Sequence, residues 1–163
     1  MFQLKITLES TENPVWRRVL VDPESTFADL HDLIQTAFEW EEMHLHLFQV
    51  TDKQNNNLLI QAIDEEALDS SLDALDEEEV LLSDIFHQPK DHARYIYDLG
   101  DNWEHQIELE EIIPKSQNFG LPVCIEAKGI APEEDHVMEA MLGTEYKNLF
   151  QDFTDEEIVE MIN

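Results

Sequence analysis

Hydrophobic and polar positions alternate from the start of the chain. Phe2, Leu4, Ile6 and Leu8 interleave with Gln3, Lys5, Thr7 and Glu9, the period of two that predicts a half-buried strand. Residues 10–14 carry turn chemistry. Val15–Val21 is rich in β-branched residues and holds Trp16, so a second strand follows, antiparallel to the first, and Pro23 ends it. Thr26 and Asp29 have the spacing of a capping box, with Asp in place of Glu. Phe27, Leu30, Ile34 and Phe38 then recur at helical spacing as far as Trp40. Residues 44–51 alternate again, placing His44, His46, Phe48 and Val50 on one strand face and Leu45 and Leu47 on the other.

Asn55, Asn56 and Asn57 form a turn, residues 58–63 a returning strand, and residues 80–86 a further helical turn closed by Pro89. Two strand patterns, 94–99 and 103–113, are joined by Gly100-Asp101-Asn102, a hairpin in which Gly100 can take a positive φ. Trp103, His105, Ile107 and Leu109 share the dry face of its second arm, and Glu104, Gln106, Glu108 and Glu110 the wet one. Residues 123–127 read as a short edge strand. Helical patterns occupy 133–142 and, after a capping box at Thr154 and Glu157, the stretch through Ile162. The fold class this predicts is α+β: a largely antiparallel sheet packed by a principal N-terminal helix, with additional helices at the C-terminus. At 163 residues, with no repeat and no linker, the chain reads as a single domain, 1–163.

Charge narrows the partners. Nine Lys+Arg stand against 38 Asp+Glu, a formal net charge of −29. Phosphate recognition draws on Lys and Arg, so the chain is expected to bind no nucleic acid directly and no anionic membrane surface. Basic protein surfaces and cations remain compatible. Residues 64–79 carry nine acids and no base, an acidic insertion or solvated face in which Leu68, Leu72 and Leu75 keep the spacing of a short amphipathic helix. A single cysteine, Cys124, excludes an internal disulfide framework and a thiolate zinc cluster, and reads as a small buried hydrophobe. Without an 18-residue apolar run or a signal-peptide pattern, a cytoplasmic protein with no membrane segment is expected.

Three features place ionisable groups on faces that otherwise look buried. His44 and His46, two apart on a strand, project the same way about 6.6–7 Å apart and could converge on one ion. With Asp98, Asp101 and His105 they make a mixed set, His44, His46, Asp98, Asp101 and His105, suited to a divalent metal. The alternative is structural: Asp at a turn caps backbone N–H groups, and His105 is a hydrogen-bonded core histidine. His31 sits at the edge of the helix's apolar stripe. Trp16 beside Arg17 and Arg18 permits cation–π contacts or ion pairs. Between helix and hairpin these define a candidate pocket of Trp16, Arg17, His31, His46, Tyr97, Asp98, Asp101, Trp103 and His105. A phosphate-cradling glycine loop, G-x-S-x-G, H-E-x-x-H and a dinucleotide fingerprint are all missing.

These residues also carry a resemblance. Asn13-Pro14-Val15-Trp16-Arg17-Arg18-Val19, Thr26-Phe27, Leu30-His31, Ile34-Gln35, Ala37-Phe38, Trp40 and His44-Leu45-His46-x-Phe48 make one signature. Tyr95-x-Tyr97-Asp98-x-Gly100-Asp101-x-Trp103-x-His105-x-Ile107-x-Leu109-Glu110 makes a second. Together they resemble the plasmid pRiA4b ORF-3-like proteins, some of which are passengers of a mycobacterial insertion element. The likeness spans residues 2–113. Beyond it, Ala131-Pro132-Glu133-Glu134-Asp135-His136 keeps the acidic core of a family loop but lacks its paired glycines, which marks 131–163 as a divergent helical part. The resemblance implies an α+β domain and no particular activity. Association with mobile elements does not imply recombinase chemistry, since no Ser or Tyr nucleophile here is flanked by arginines.

The leading expectation is a non-enzymatic cytoplasmic module, accessory in role, with a protein partner and no cofactor. One alternative is a metal-dependent, hydrolase-like enzyme. In it His44, His46 and His105 would be ligands, Asp98 or Asp101 a further ligand or general base, and bound water the nucleophile. The other is an acidic regulator that mimics nucleic acid to engage a basic DNA-binding protein.

Overall fold

The computed structural model describes residues 1–63, 74–114 and 120–133. Eight strands form one sheet: β1 (Phe2–Leu8), β2 (Val15–Val21), β3 (His46–Thr51), β4 (Asn57–Gln61), β5 (Ala74–Asp76), β6 (His92–Tyr97), β7 (Trp103–Ile112) and β8 (Val123–Lys128). Their order across the sheet is β5-β4-β3-β6-β7-β1-β2-β8. Among the described residues two helices accompany it, α1 (Phe27–Ala37) and α2 (Leu82–Ile85). Among the described residues no helix is long and apolar enough to cross a membrane.

Alternation in β1 sends Leu4, Ile6 and Leu8 into the core and Gln3, Lys5 and Thr7 to the other face. The strand pairs antiparallel on both sides, Ile6 opposite Arg17 of β2 and opposite Ile107 of β7. The apolar face is covered by α1, whose Phe27, Leu30 and Ile34 are buried in the same core. Its capping box forms as the sequence predicts: Thr26 Oγ1 accepts the Asp29 N–H at 3.1 Å and the Asp29 carboxylate accepts the Thr26 N–H at 3.0 Å. An 11-residue helix is marginal alone in water. Burial of those three side chains, worth about 2 kcal/mol each, holds it in place.

The expected α+β fold is corrected on two counts. β4 and β5 run parallel, with Leu59 opposite Ala74 and Gln61 opposite Asp76, so the sheet is mixed. Helix is also scarce: the described residues build a large eight-stranded sheet and two short helices rather than a sheet packed by several. The pattern at 80–86 yields only one turn, α2, because its apolar run is too short to propagate. Leu75, expected on an amphipathic helix, lies in β5, where pairing with the edge of β4 outweighs the leucine spacing. Leu68, Leu72, all but the first residue of the helix expected at 133–142 and the helix expected at 154–162 lie outside the described residues. β8 is an edge strand, as the 123–127 pattern suggests.

Candidate functional site

The pairing register sets polar side chains in rows beneath α1. Phe48 of β3 lies opposite Tyr95 of β6, which lies opposite His105 of β7. One step along, His46 lies opposite Tyr97 and Tyr97 opposite Trp103. From above, α1 contributes His31 and Gln35, both buried.

Tyr95 organises the first row. Gln35 Oε1 accepts the Glu42 backbone N–H at 2.9 Å, so its Nε2 is the donor to Tyr95 Oη, at 3.0 Å. The phenolic proton is then free to pass to His31 Nδ1, 2.8 Å away, which leaves His31 Nε2–H to meet Glu42 Oε1 at 2.7 Å. Burial pushes the Tyr95 phenol up, and burial together with nearby His46, the smaller cause, pulls His31 down from 6.5 to about 4. His31 lies flat on His46, ring centroids 3.5 Å apart and planes 8° from parallel. His46 Nε2 meets Glu77 Oε2 at 2.6 Å. Glu77 is only 6% exposed although it falls in the run that reads as solvated.

His105 is fully buried. Its Nδ1 faces two carbonyls, Trp103 at 3.1 Å and Tyr95 at 3.3 Å, so Nδ1 carries the proton. Nε2 has no hydrogen-bond partner among the described residues. Around the ring stand Phe38 at 4.9 Å, Trp40 at 5.2 Å and Tyr95 at 5.2 Å. Enclosure of this kind lowers its pKa to about 4.

At the hairpin tip Asp98 Oδ1 accepts the Gly100 and Asp101 N–H groups at 3.0 and 3.2 Å. The positive φ expected at Gly100 falls instead on Asp98 (61°) and Asn102 (60°). Asp and Asn tolerate that region, and this carboxylate is held in place by the turn it closes. His44 precedes β3 rather than lying on it, so its spacing to His46 is not a strand spacing. Its Nε2 lies 3.6 Å from Asp98 Oδ2 and its N–H donates to Tyr97 Oη at 3.2 Å. The Tyr97 ring stacks on Trp40 at 5.0 Å, and Trp103 is 6.4 Å from the same indole.

The two arginines separate. Arg17, 2% exposed, donates through Nε to Ala37 O at 2.9 Å and through Nη1 to Trp16 O and Lys128 O at 2.9 and 3.0 Å. Its guanidinium lies over Phe38 at 5.1 Å, so a cation meets the C-terminal carbonyl end of α1. Arg18 points to the opposite sheet face, where it pairs with Glu110 and Glu126, and Trp16 lies there too, with Lys5 and Arg18 over its ring. The structure therefore brings His31 to His46 and His44 to Asp98. Tyr95 touches both His46 and His105, and Trp16 stands on the far face.

Sequence reasoning missed two acids. One ligating atom each of His31, Asp32 and Glu42 lie within 4.8 Å of one another. Desolvation, then a hydrogen bond to Glu42, raises the Asp32 pKa. Asp32 follows His31 directly, but Glu42 comes back to it only because Glu39 and Glu42, at φ 59° and 57°, turn the chain after α1. A groove of about 520 Å³ adjoins this corner. Val21, Leu30, Leu33, Leu82, Pro122 and Cys124 line it, with Asp29 and Asp32 among its polar groups.

Over 133 residues the chain is 35% identical to "Uncharacterized protein y4hQ" of Sinorhizobium fredii, which covers 82% of this chain and 64% of that protein. The chain thus spans less than two thirds of its curated relative's length. A solved structure titled "Crystal Structure of Protein of Unknown Function MM3350 from Methanosarcina mazei Go1" matches with a TM-score of 0.75 at 30% identity, over 99% of this chain and 86% of that one. The family model described as Plasmid pRiA4b ORF-3-like protein matches residues 1–163, and with the shared fold this shows that the chain belongs to the plasmid pRiA4b ORF-3-like protein family.

Proposed function

We propose that this protein is a non-enzymatic binding module, accessory in role, whose partner is a protein presenting a short basic segment with an aliphatic anchor. The observation that carries this reading is the groove between α1 and the β2–β8 edge, apolar along Val21, Leu30, Leu33, Leu82 and Pro122 and acidic at Asp29 and Asp32. From residue 19 to residue 52, a stretch that includes α1, the chain holds eight acids and no Lys or Arg. Such a charge balance steers a basic partner toward the groove, and an apolar anchor supplies the contact that holds it. The histidines support the non-enzymatic reading, because His31, His46 and His105 each commit a ring nitrogen to an internal partner.

The test is a fluorescence-anisotropy titration with labelled peptides in which Lys and Arg flank a single Leu. Saturable binding that Leu33→Asp abolishes supports the reading. Equal affinity for peptides lacking the leucine would reduce the interaction to charge alone and favour nucleic-acid mimicry. Absence of binding at low salt would remove the proposal.

A further inference from the structure

We propose that His31, Asp32 and Glu42 form a binding site for one divalent transition-metal cation, Zn²⁺ in the first instance. The site is distinct from the His44, His46, Asp98, Asp101 and His105 set expected from sequence, and it does not depend on the groove reading, although Asp32 belongs to both.

Geometry is the main argument. The three ligating atoms lie within 4.8 Å of one another. A cation at about 2.0–2.2 Å from each needs them within about 4.4 Å, a small rotation of one exposed carboxylate away. The imidazole is already held as a ligand would be. His31 is 5% exposed, one ring face rests on His46 at 3.5 Å, and Nδ1 sits 2.8 Å from Tyr95 Oη, itself fixed by Gln35. A partner on the far ring nitrogen is the usual support of a metal-bound histidine, since it fixes orientation and tautomer. Binding requires the imidazole proton on Nδ1 rather than Nε2: Tyr95 Oη then accepts from both Nδ1–H and Gln35 Nε2, its own hydrogen turns away from the ring, and Nε2 is left for the cation.

Charge and donor type agree. Asp32 and Glu42 approach within hydrogen-bonding distance of each other, and among the described residues no Lys or Arg ion-pairs with either. One imidazole nitrogen with two carboxylate oxygens suits Zn²⁺ or Mn²⁺ better than Ca²⁺ or Mg²⁺, which take oxygen-only shells. Water completes such a three-residue set.

The experiment is isothermal titration of chelator-stripped, tag-free full chain with ZnCl₂, beside Asp32→Asn, Glu42→Gln and His44→Ala. Both acids are exposed, so their variants keep the fold, which circular dichroism checks. Expected is one zinc per chain, weakened at least about tenfold by either acid variant and unchanged by His44→Ala. Long-range ¹H–¹⁵N spectra should shift the His31 Nε2 resonance on adding zinc. The proposal is overturned by the absence of one-site binding, by acid variants that bind as tightly as the parent, by displacement with equimolar Mg²⁺, or by a shift confined to another imidazole.

Discussion

His31 and His46 lie face to face, 3.5 Å between ring centroids, each with its outer nitrogen on a carboxylate, Glu42 for one and Glu77 for the other. A proton added to both rings would set like charges together at a cost of about 5 kcal/mol at an effective dielectric of 20. Desolvation acts on His31 in the same direction and is the larger effect. The stack therefore persists with His31 uncharged near pH 7.

The same burial makes His105 acid-sensitive. Its pKa is about 4 in the fold against 6.5 in the unfolded chain, so between these values the unfolded chain takes up a proton that the fold refuses. Stability from this residue is complete above about pH 6.5, declines as pH falls and levels off below about 4, a loss of about 3 kcal/mol. Urea unfolding at pH 7 and pH 4 should show the advantage of wild type over His105→Phe shrinking by that amount. An advantage independent of pH would mean that His105 titrates as it would in water.

Removing the Tyr95 hydroxyl strands two buried polar groups at once, Gln35 Nε2 and His31 Nδ1. Tyr95→Phe should lower the unfolding free energy by roughly 1–3 kcal/mol while adding almost no cavity. A change under about 0.5 kcal/mol would indicate that neither group depends on the phenol.

Arg17 and Arg18 should differ sharply despite their adjacency. Arg17→Met deprives three carbonyls of a buried cation and is expected to cost about 3 kcal/mol or more, in 1 M NaCl as in low salt. Arg18→Met loses partly exposed ion pairs, costs about 1 kcal/mol or less, and its effect fades in salt. Equal costs in chemical denaturation would contradict this division.

Gly129 has φ 77°, and a Cβ there would lie 2.3 Å from Pro14 O and 3.1 Å from Val15 Cα. Gly129→Ala should destabilise by roughly 2–4 kcal/mol, because the obstacle is backbone at the start of β2. Gly120→Ala meets nothing within 4 Å and serves as the control, with a melting temperature close to wild type.

Local pattern in the sequence carried β1, β2, α1 and β8, where period and capping chemistry agree with the final burial. It failed where a partner far along the chain decides the outcome. Leu75 follows a helical spacing but joins β4 as a parallel strand, and an acid from the same run, Glu77, ends up buried on His46. The histidines were visible as residues with unusual settings, yet spacing could not reveal that His31 stacks on His46 from another element. Arg17 and Trp16 are neighbours in the motif but alternate across the strand, so one caps α1 and the other faces away. Glu42 was hidden because two left-handed residues after the helix bring it back.

The position of β1 between β2 and β7 has a consequence for biosynthesis. Its first neighbour is available as soon as residue 21 has left the ribosome, whereas the second is not complete until residue 112 has been added. A nascent chain must therefore carry a β1–β2 ribbon with both outer edges bare until β7 and then β8 have been added, a species prone to pairing with other chains. Overexpression that outruns chaperone capacity should divert the protein into inclusion bodies, and slower synthesis at reduced temperature should recover it.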